Sequence, residues 1–126
     1  LMFEELHLDK SVMERPVRQL SKGMTQKLGL AGSLLARRDL YVLDEPMSGL
    51  DPSSRVAVKS TLARLVLEGR TLFFTSHVLA DVEELCSSIA VLQNGRIRYF
   101  GSPLELCEKW NEQNLERAFM RCINAD

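Results

Sequence analysis

The chain has 126 residues, 45% of them hydrophobic and 26% charged, with a formal net charge of -1, an ordinary composition for a globular domain with one core. Acidic and basic residues are interspersed without a block of either sign, which argues against a nucleic-acid-binding arm or a membrane-binding polybasic patch. The apolar stretches fall well short of the roughly 20 residues a membrane helix needs, no charged-then-apolar signal opens the chain, and Cys86, Cys107 and Cys122 form no CxxC pair, reading as free thiols in a reducing cytoplasm.

The opening LMFEELHLDKSVMERPVRQL starts without methionine and in mid-pattern, with Leu1, Glu4, Glu5 and Leu8 at helical spacing, which predicts a piece of a longer chain. TQKLGLAGSLLARR predicts a helix from about Met24 to Arg37 with Leu28, Ala31, Leu34 and Leu35 on one face, although Gly29 and Gly32 each weaken it by about 1 kcal/mol relative to alanine. Leu40 to Leu43 is a continuous apolar run, the pattern of a strand buried on both faces of a parallel sheet. It runs straight into Asp44 and Glu45, then into proline and a glycine turn. Asp51 and Pro52 open a second helix, as N-cap and first helical residue. Val56, Leu62, Leu65 and Val66 supply its apolar side, and Gly69 ends it.

TLFFT, Thr71 to Thr75, is a second strand, so Leu40 to Thr75 reads as strand, helix, strand, a connection that makes the two strands parallel. A short amphipathic helix follows from Val78 to Cys86, with Leu79, Val82 and Leu85 on one face and Asp81, Glu83 and Glu84 elsewhere. SIAVLQNGRIRYF then predicts a hairpin around Asn94-Gly95, because both central positions tolerate positive φ. Ile97 and Tyr99 alternate there with Arg96 and Arg98, which implies one wet face. The tail after Gly101 reads as helical, and without a repeat or linker the chain reads as one compact α/β unit.

Two adjacent carboxylates at the end of a buried strand need an external reason, since each is costly to bury and the two repel. Parallel strands bring their C-terminal ends to one edge of a sheet, where open α/β folds place ligands. One end presents Asp44 and Glu45, the other Ser76 and His77. Two acids and an imidazole beside a glycine turn suit a metal-bound polyphosphate, one carboxylate orienting Mg2+ and its waters, the next polarising an attacking water, and the histidine meeting the terminal phosphate. Taken singly, each feature has an ordinary reading: an acid pair after a strand is a solvated loop, and Ser21 before a helix is an N-cap.

In order along the chain, LSKGM (Leu20 to Met24), LDEP (Leu43 to Pro46), SGLD (Ser48 to Asp51) and TSH (Thr75 to His77) resemble the C-terminal half of an ATP-binding cassette (ABC) ATPase. They match its signature motif, Walker B strand, D-loop and switch histidine. GSPLEL and NLERAFMRCI resemble the way such cassettes end in ABC-2-type exporters, so the resemblance runs from Leu1 to about Ile123.

The resemblance implies an α/β fold with a P-loop NTPase-like parallel sheet flanked by helices, incomplete for want of the Walker A half, and a C-terminal β-hairpin and helix. Residues 1–38 would be the end of a helical subdomain and the signature helix, and residues 39–126 the Walker B, D-loop, switch-histidine and C-terminal region. Asp44 would hold Mg2+ through water, Glu45 would activate the hydrolytic water, and His77 would contact the γ-phosphate. Asp51 would reach towards a partner subunit, and Ser21, Lys22, Gly23 and Met24 would face the ATP held by that subunit, in a head-to-tail dimer. The family consensus is LSGGQ, so Lys22 and Met24 are departures: Lys22 adds a cation that either helps phosphate binding or is solvated, and Met24 removes an amide.

The same resemblance implies transmembrane permease partners, a cytoplasmic subunit peripheral to the inner or plasma membrane, no nucleic acid, and coupling of ATP hydrolysis to export. GxxxxGKS or GxxxxGKT, the loop that cradles the β- and γ-phosphates, does not occur in the sequence. The chain is therefore expected to be a fragment, inactive by itself, that lacks roughly a hundred residues of a complete cassette. The alternatives are a chromosome or DNA-repair ATPase head, whose flanking heptads are not seen here, and a non-catalytic remnant or interaction module.

Overall fold

The computed structural model describes residues Met2 to Ala125, so Leu1, part of the opening helical pattern, lies outside the described residues. The chain divides between Ser76 and His77 into two compact units where the sequence suggests one.

The first unit runs α1 (Met2–Glu5), two 3₁₀ turns (Lys10–Glu14 and Val17–Gln19), α2 (Lys22–Leu35), β1 (Leu40–Leu43), α3 (Pro52–Leu67) and β2 (Thr71–Phe74). Its caps follow from local chemistry. Ser21 Oγ accepts from Met24 N at the start of α2, and Asp51 accepts from Ser54 N at the start of α3, whose first residue is Pro52. Gly69, at φ +83°, closes the other end of α3 with a bond from its N–H to the Val66 carbonyl. Glu5 on α1 and Arg64 on α3 pair at 2.7 Å.

The buried face of α2 is Lys27, Leu30, Ala31 and Leu34, so the helix is turned from the orientation that the leucines predict, and Leu35 is exposed. On α3, Ala57, Val58, Thr61, Leu62 and Leu65 are buried, while Val56 and Val66, predicted to be inside, are exposed. A helix has one inward stripe, and it is set by the residues at 54, 58, 61, 62 and 65.

β1 and β2 are parallel, with Tyr41 opposite Leu72 and Leu43 opposite Phe74. Tyr41 is buried, its hydroxyl accepting from Arg38 N at 3.0 Å and donating to the Leu34 carbonyl at 3.4 Å. Burial on both faces does not occur: Leu40, Val42 and Phe73, on the other face, are exposed, Val42 by 68%. Among the described residues this sheet has two strands, and the face carrying Leu40, Val42 and Phe73 is left open.

The second unit runs α4 (Leu79–Leu85), β3 (Ile89–Gln93), β4 (Arg96–Gly101), α5 (Pro103–Trp110) and α6 (Leu115–Asn124). Val91, Leu106, Leu115, Ala118 and Cys122 form its core, with Leu79, Val82, Tyr99 and Trp110 packed against it. Ser102 and Glu105 make a reciprocal capping box on α5, and Asn111 ends that helix in the left-handed region at φ +51°.

β3 and β4 are joined at Asn94 (φ +50°) and Gly95 (φ +73°), as the dipeptide predicts. The expected wet face is different. Register shifts between Val91 and Leu92, whose partners are Tyr99 and Ile97, which leaves Arg98 as an extra residue. A bulge of this kind reverses the alternation. Tyr99 therefore turns towards the core, and Ile97, 65% exposed, turns out beside exposed Leu92 and Phe100. On α4, Asp81, predicted to lie on the polar side, is buried with 2% exposure.

Candidate functional site

The C-terminal ends of β1 and β2 bring three residues together. Thr75 N donates to the Leu43 carbonyl at 3.0 Å, continuing the ladder past the strands. The Thr75 hydroxyl donates to Asp44 Oδ1, and the Glu45 N–H donates to Thr75 Oγ1 at 3.0 Å. One hydroxyl thus orients the first carboxylate and anchors the backbone of the second. Asp44 is exposed and Glu45 is half-buried.

Glu45 stands in the left-handed region at φ +46°, uncommon for a residue with a side chain and typical of functional turns. Its carbonyl accepts from Ser48 N at 3.0 Å and from Gln26 Nε2 at 3.1 Å. The chain then turns through buried Pro46 and Met47 to Gly49, at φ +72°. That glycine meets α2: a Cβ placed on Gly49 would lie 3.2 Å from the Lys22 side chain, and one on Gly23 would lie 3.4 Å from the Gly49 carbonyl. LSKGM and SGLD are therefore neighbours within one chain.

At the far end of this loop, Asp51 accepts from Ser54 N at 3.0 Å and from Ser54 Oγ at 2.6 Å. The Ser54 hydroxyl holds its carboxyl below the ordinary 3.8, with help from the Ser54 amide and, more weakly, from the charge of Lys27, against a small desolvation. Lys27 Nζ donates to Ser54 Oγ at 3.1 Å and to the His7 carbonyl at 2.9 Å.

Of the expected site residues, Asp44 and Glu45 are gathered with Thr75, and Ser21, Lys22, Gly23 and Met24 form the cap and first turn of α2. Asp51 caps α3. His77 is exposed and is the first residue of the second unit, two residues beyond Thr75 in the chain. Sequence reasoning assigned no role to Thr75, Gln26, Lys27 or Ser54. For Lys27 a signal existed: it falls at helical spacing with Leu30, Ala31 and Leu34, a cation on an apolar face.

Residues 6–79 match the family described as "AAA domain, putative AbiEii toxin, Type IV TA system". The chain is 44% identical over 97 residues to an uncharacterised ABC transporter ATP-binding protein of Synechocystis, covering 77% of this chain and 27% of that protein. The Nod factor export ATP-binding protein I of Ralstonia nicotianae is 41% identical over 93 residues, covering 74% of this chain and 29% of that protein. A solved ATP-binding subunit of an ABC transporter superposes with a TM-score of 0.82 at 26% identity, over 96% of this chain and 51% of the other. The chain belongs to the ABC-type ATP-binding proteins. A further ABC cassette, solved as a post-hydrolysis dimer bound to ADP and Pi, shares the fold with a TM-score of 0.74 at 20% identity, over 80% of this chain and 44% of the other. The relatives include export proteins, and this chain spans about 27–31% of the length of the first of them. The fold expected from the resemblance, α/β with a small parallel sheet and flanking helices, is the ABC ATPase fold seen in these neighbours.

Proposed function

We propose that this chain supplies the signature, carboxylate and switch-histidine portion of the ATPase of an ABC exporter. ATP binding closes two cassettes head to tail, hydrolysis reopens them, and the motion passes to transmembrane permease subunits at the cytoplasmic face of a membrane. One observation carries the reading: at the C-terminal edge of a parallel strand pair, Thr75 binds both Asp44 and Glu45, where α/β folds place ligands.

In this reading Glu45 takes a proton from the attacking water, and His77 meets the γ-phosphate. Ser21, Lys22, Gly23 and Met24, at the N-terminal end of a 14-residue helix, face the ATP of the other cassette, where free N–H groups and the helix dipole favour anions. Asp51 stands at the dimer contact. Asp44 fits Mg2+: the ion is ordinarily held through one or two carboxylates with water and substrate phosphates, and Asp44 is an exposed carboxylate oriented by a hydroxyl. Bound there, Mg2+ supplies charge neutralisation for the phosphates. Residues 1–38 and 39–126 divide this portion into signature and carboxylate regions. Among the described residues no helix is long and apolar enough to cross a membrane.

Expressed by itself, the 126-residue chain neither binds ATP tightly nor hydrolyses it, because the phosphate-cradling loop is not in its sequence. The decisive experiment substitutes this chain for the aligned part of the Nod factor export relative. The resulting cassette hydrolyses ATP, and Glu45→Gln nearly abolishes turnover while ATP still binds and the closed dimer accumulates. Turnover by Glu45→Gln close to the parent rate removes Glu45 as the base. A cassette that does not bind ATP favours a non-catalytic module.

A further inference from the structure

We propose that Gln26 and Lys27, adjacent on α2, form a two-point brace through which the rotation of that helix sets the left-handed backbone of Glu45. The functional meaning of the brace rests on the reading of Glu45 given above; its existence rests on geometry alone. A left-handed conformation is costly for a residue with a Cβ, and three hydrogen bonds to its backbone help to hold Glu45 in it. Thr75 Oγ1 accepts from its N–H at 3.0 Å, Ser48 N donates to its carbonyl at 3.0 Å, and Gln26 Nε2 donates to the same carbonyl at 3.1 Å. The first two come from β2's end and from the turn itself. Of these three, the Gln26 bond comes from α2.

One residue further along the helix, Lys27 reaches Ser54 Oγ in the first turn of α3, just beyond the other end of the same loop, and also the His7 carbonyl. Its side chain is buried, with 8% of the residue exposed, and a buried ammonium needs its donors met. Neighbouring residues on an α-helix point about 100° apart. A single rotational setting of α2 therefore satisfies both bonds. Turning the helix moves both side chains together, so a rotation that withdraws Gln26 from the Glu45 carbonyl also pulls Lys27 from its acceptors. Ser21 to Met24 lie on the cap and first turn of this helix, so a displacement felt there is delivered to the Glu45 backbone through Gln26. Gln26 is in this sense a positioning residue, and Lys27 is the pivot that fixes its aim.

The test uses the whole chain without nucleotide. A residue with positive φ gives a strong intraresidue HN–Hα cross-peak in NMR, which reads Glu45 directly, while protection of the Thr75 amide, bonded to the Leu43 carbonyl, reads the fold. Gln26→Met, which removes the donor and keeps the length, weakens the Glu45 cross-peak several-fold with Thr75 still protected. Lys27→Met does the same, and Lys27→Arg, which restores donors, brings the cross-peak back. Gln26→Glu keeps the shape without the donor and serves if the methionine variant does not fold. An unchanged Glu45 cross-peak in a folded Gln26→Met or Gln26→Glu variant, or in a folded Lys27→Met variant, overturns the brace. Because no nucleotide is present, that failure is separate from failure of the ATPase reading, which turns on hydrolysis by the Glu45→Gln cassette.

Discussion

Ser54 lies outside every motif in the sequence, yet its hydroxyl is where the buried Lys27 and the helix-capping Asp51 are joined. Because the folded Asp51 carboxyl ionises below its ordinary 3.8, the stability it contributes is fully present above that pH and is lost as pH falls through the folded value. Ser54→Ala returns the Asp51 titration towards the ordinary value, as an NMR titration reads. The urea midpoint of the variant lies below that of the parent near neutral pH. The gap narrows as pH falls through the folded value and Asp51 protonates in both, without closing, since Lys27 has also lost an acceptor. Gly49 is constrained chiefly by its backbone conformation. Its φ is +72°, where a residue with a side chain is strained, while a Cβ there would stand 3.2 Å from the flexible Lys22 side chain, which has to give by only a few tenths of an ångström. Gly49→Ala therefore costs roughly 1–2 kcal/mol in urea unfolding. A neutral result there means that the loop can shift its backbone at no cost.

Single elements show how tertiary packing overrides a one-dimensional pattern. α2 buries Lys27 beside Leu30, Ala31 and Leu34 because two acceptors, the His7 carbonyl and Ser54 Oγ, wait for its ammonium. In the hairpin, one extra residue at Arg98 exchanges the faces on which Ile97 and Tyr99 fall. The second unit depends on a small cluster in which Leu106 of α5 is fully buried. Leu106→Ala removes most of a side chain from that cluster and lowers stability by about 2–5 kcal/mol, measured by denaturant unfolding followed at Trp110, which packs on the same cluster. A loss under about 1 kcal/mol means that the cluster collapses around the gap.

For the molecule as a whole, apolar surface left open is the main consequence. The exposed face of the parallel sheet carries Leu40, Val42 and Phe73, and the hairpin adds Leu92, Ile97 and Phe100. Apolar patches of this kind drive association, and a two-stranded sheet also presents open edges. The chain expressed by itself therefore self-associates with rising concentration in gel filtration and light scattering. Val42→Lys combined with Phe73→Lys reduces that association, with little change in the urea midpoint because both side chains are already solvent-exposed. A monomer at all concentrations contradicts the expectation.

Elements whose cause lies within a few residues were legible in the sequence. Asp51-Pro52 opens α3, Asn94-Gly95 makes the hairpin turn, and the runs Leu40–Leu43 and Thr71–Phe74 form parallel strands, since capping, positive φ and strand character are local properties. The order of LSKGM, LDEP, SGLD and TSH was likewise enough to reach the ABC family. Only the tertiary structure decided which faces are wet, because burial depends on what lies opposite: Val56, Val66, Val42 and Ile97 are exposed, and Asp81 and Lys27 are buried. It also decided the inner connections of the candidate site. Thr75 meets Glu45 from 30 residues away, and Gln26 reaches it from 19; no local pattern encodes which of many donors finds a given carbonyl until the chain has closed around it.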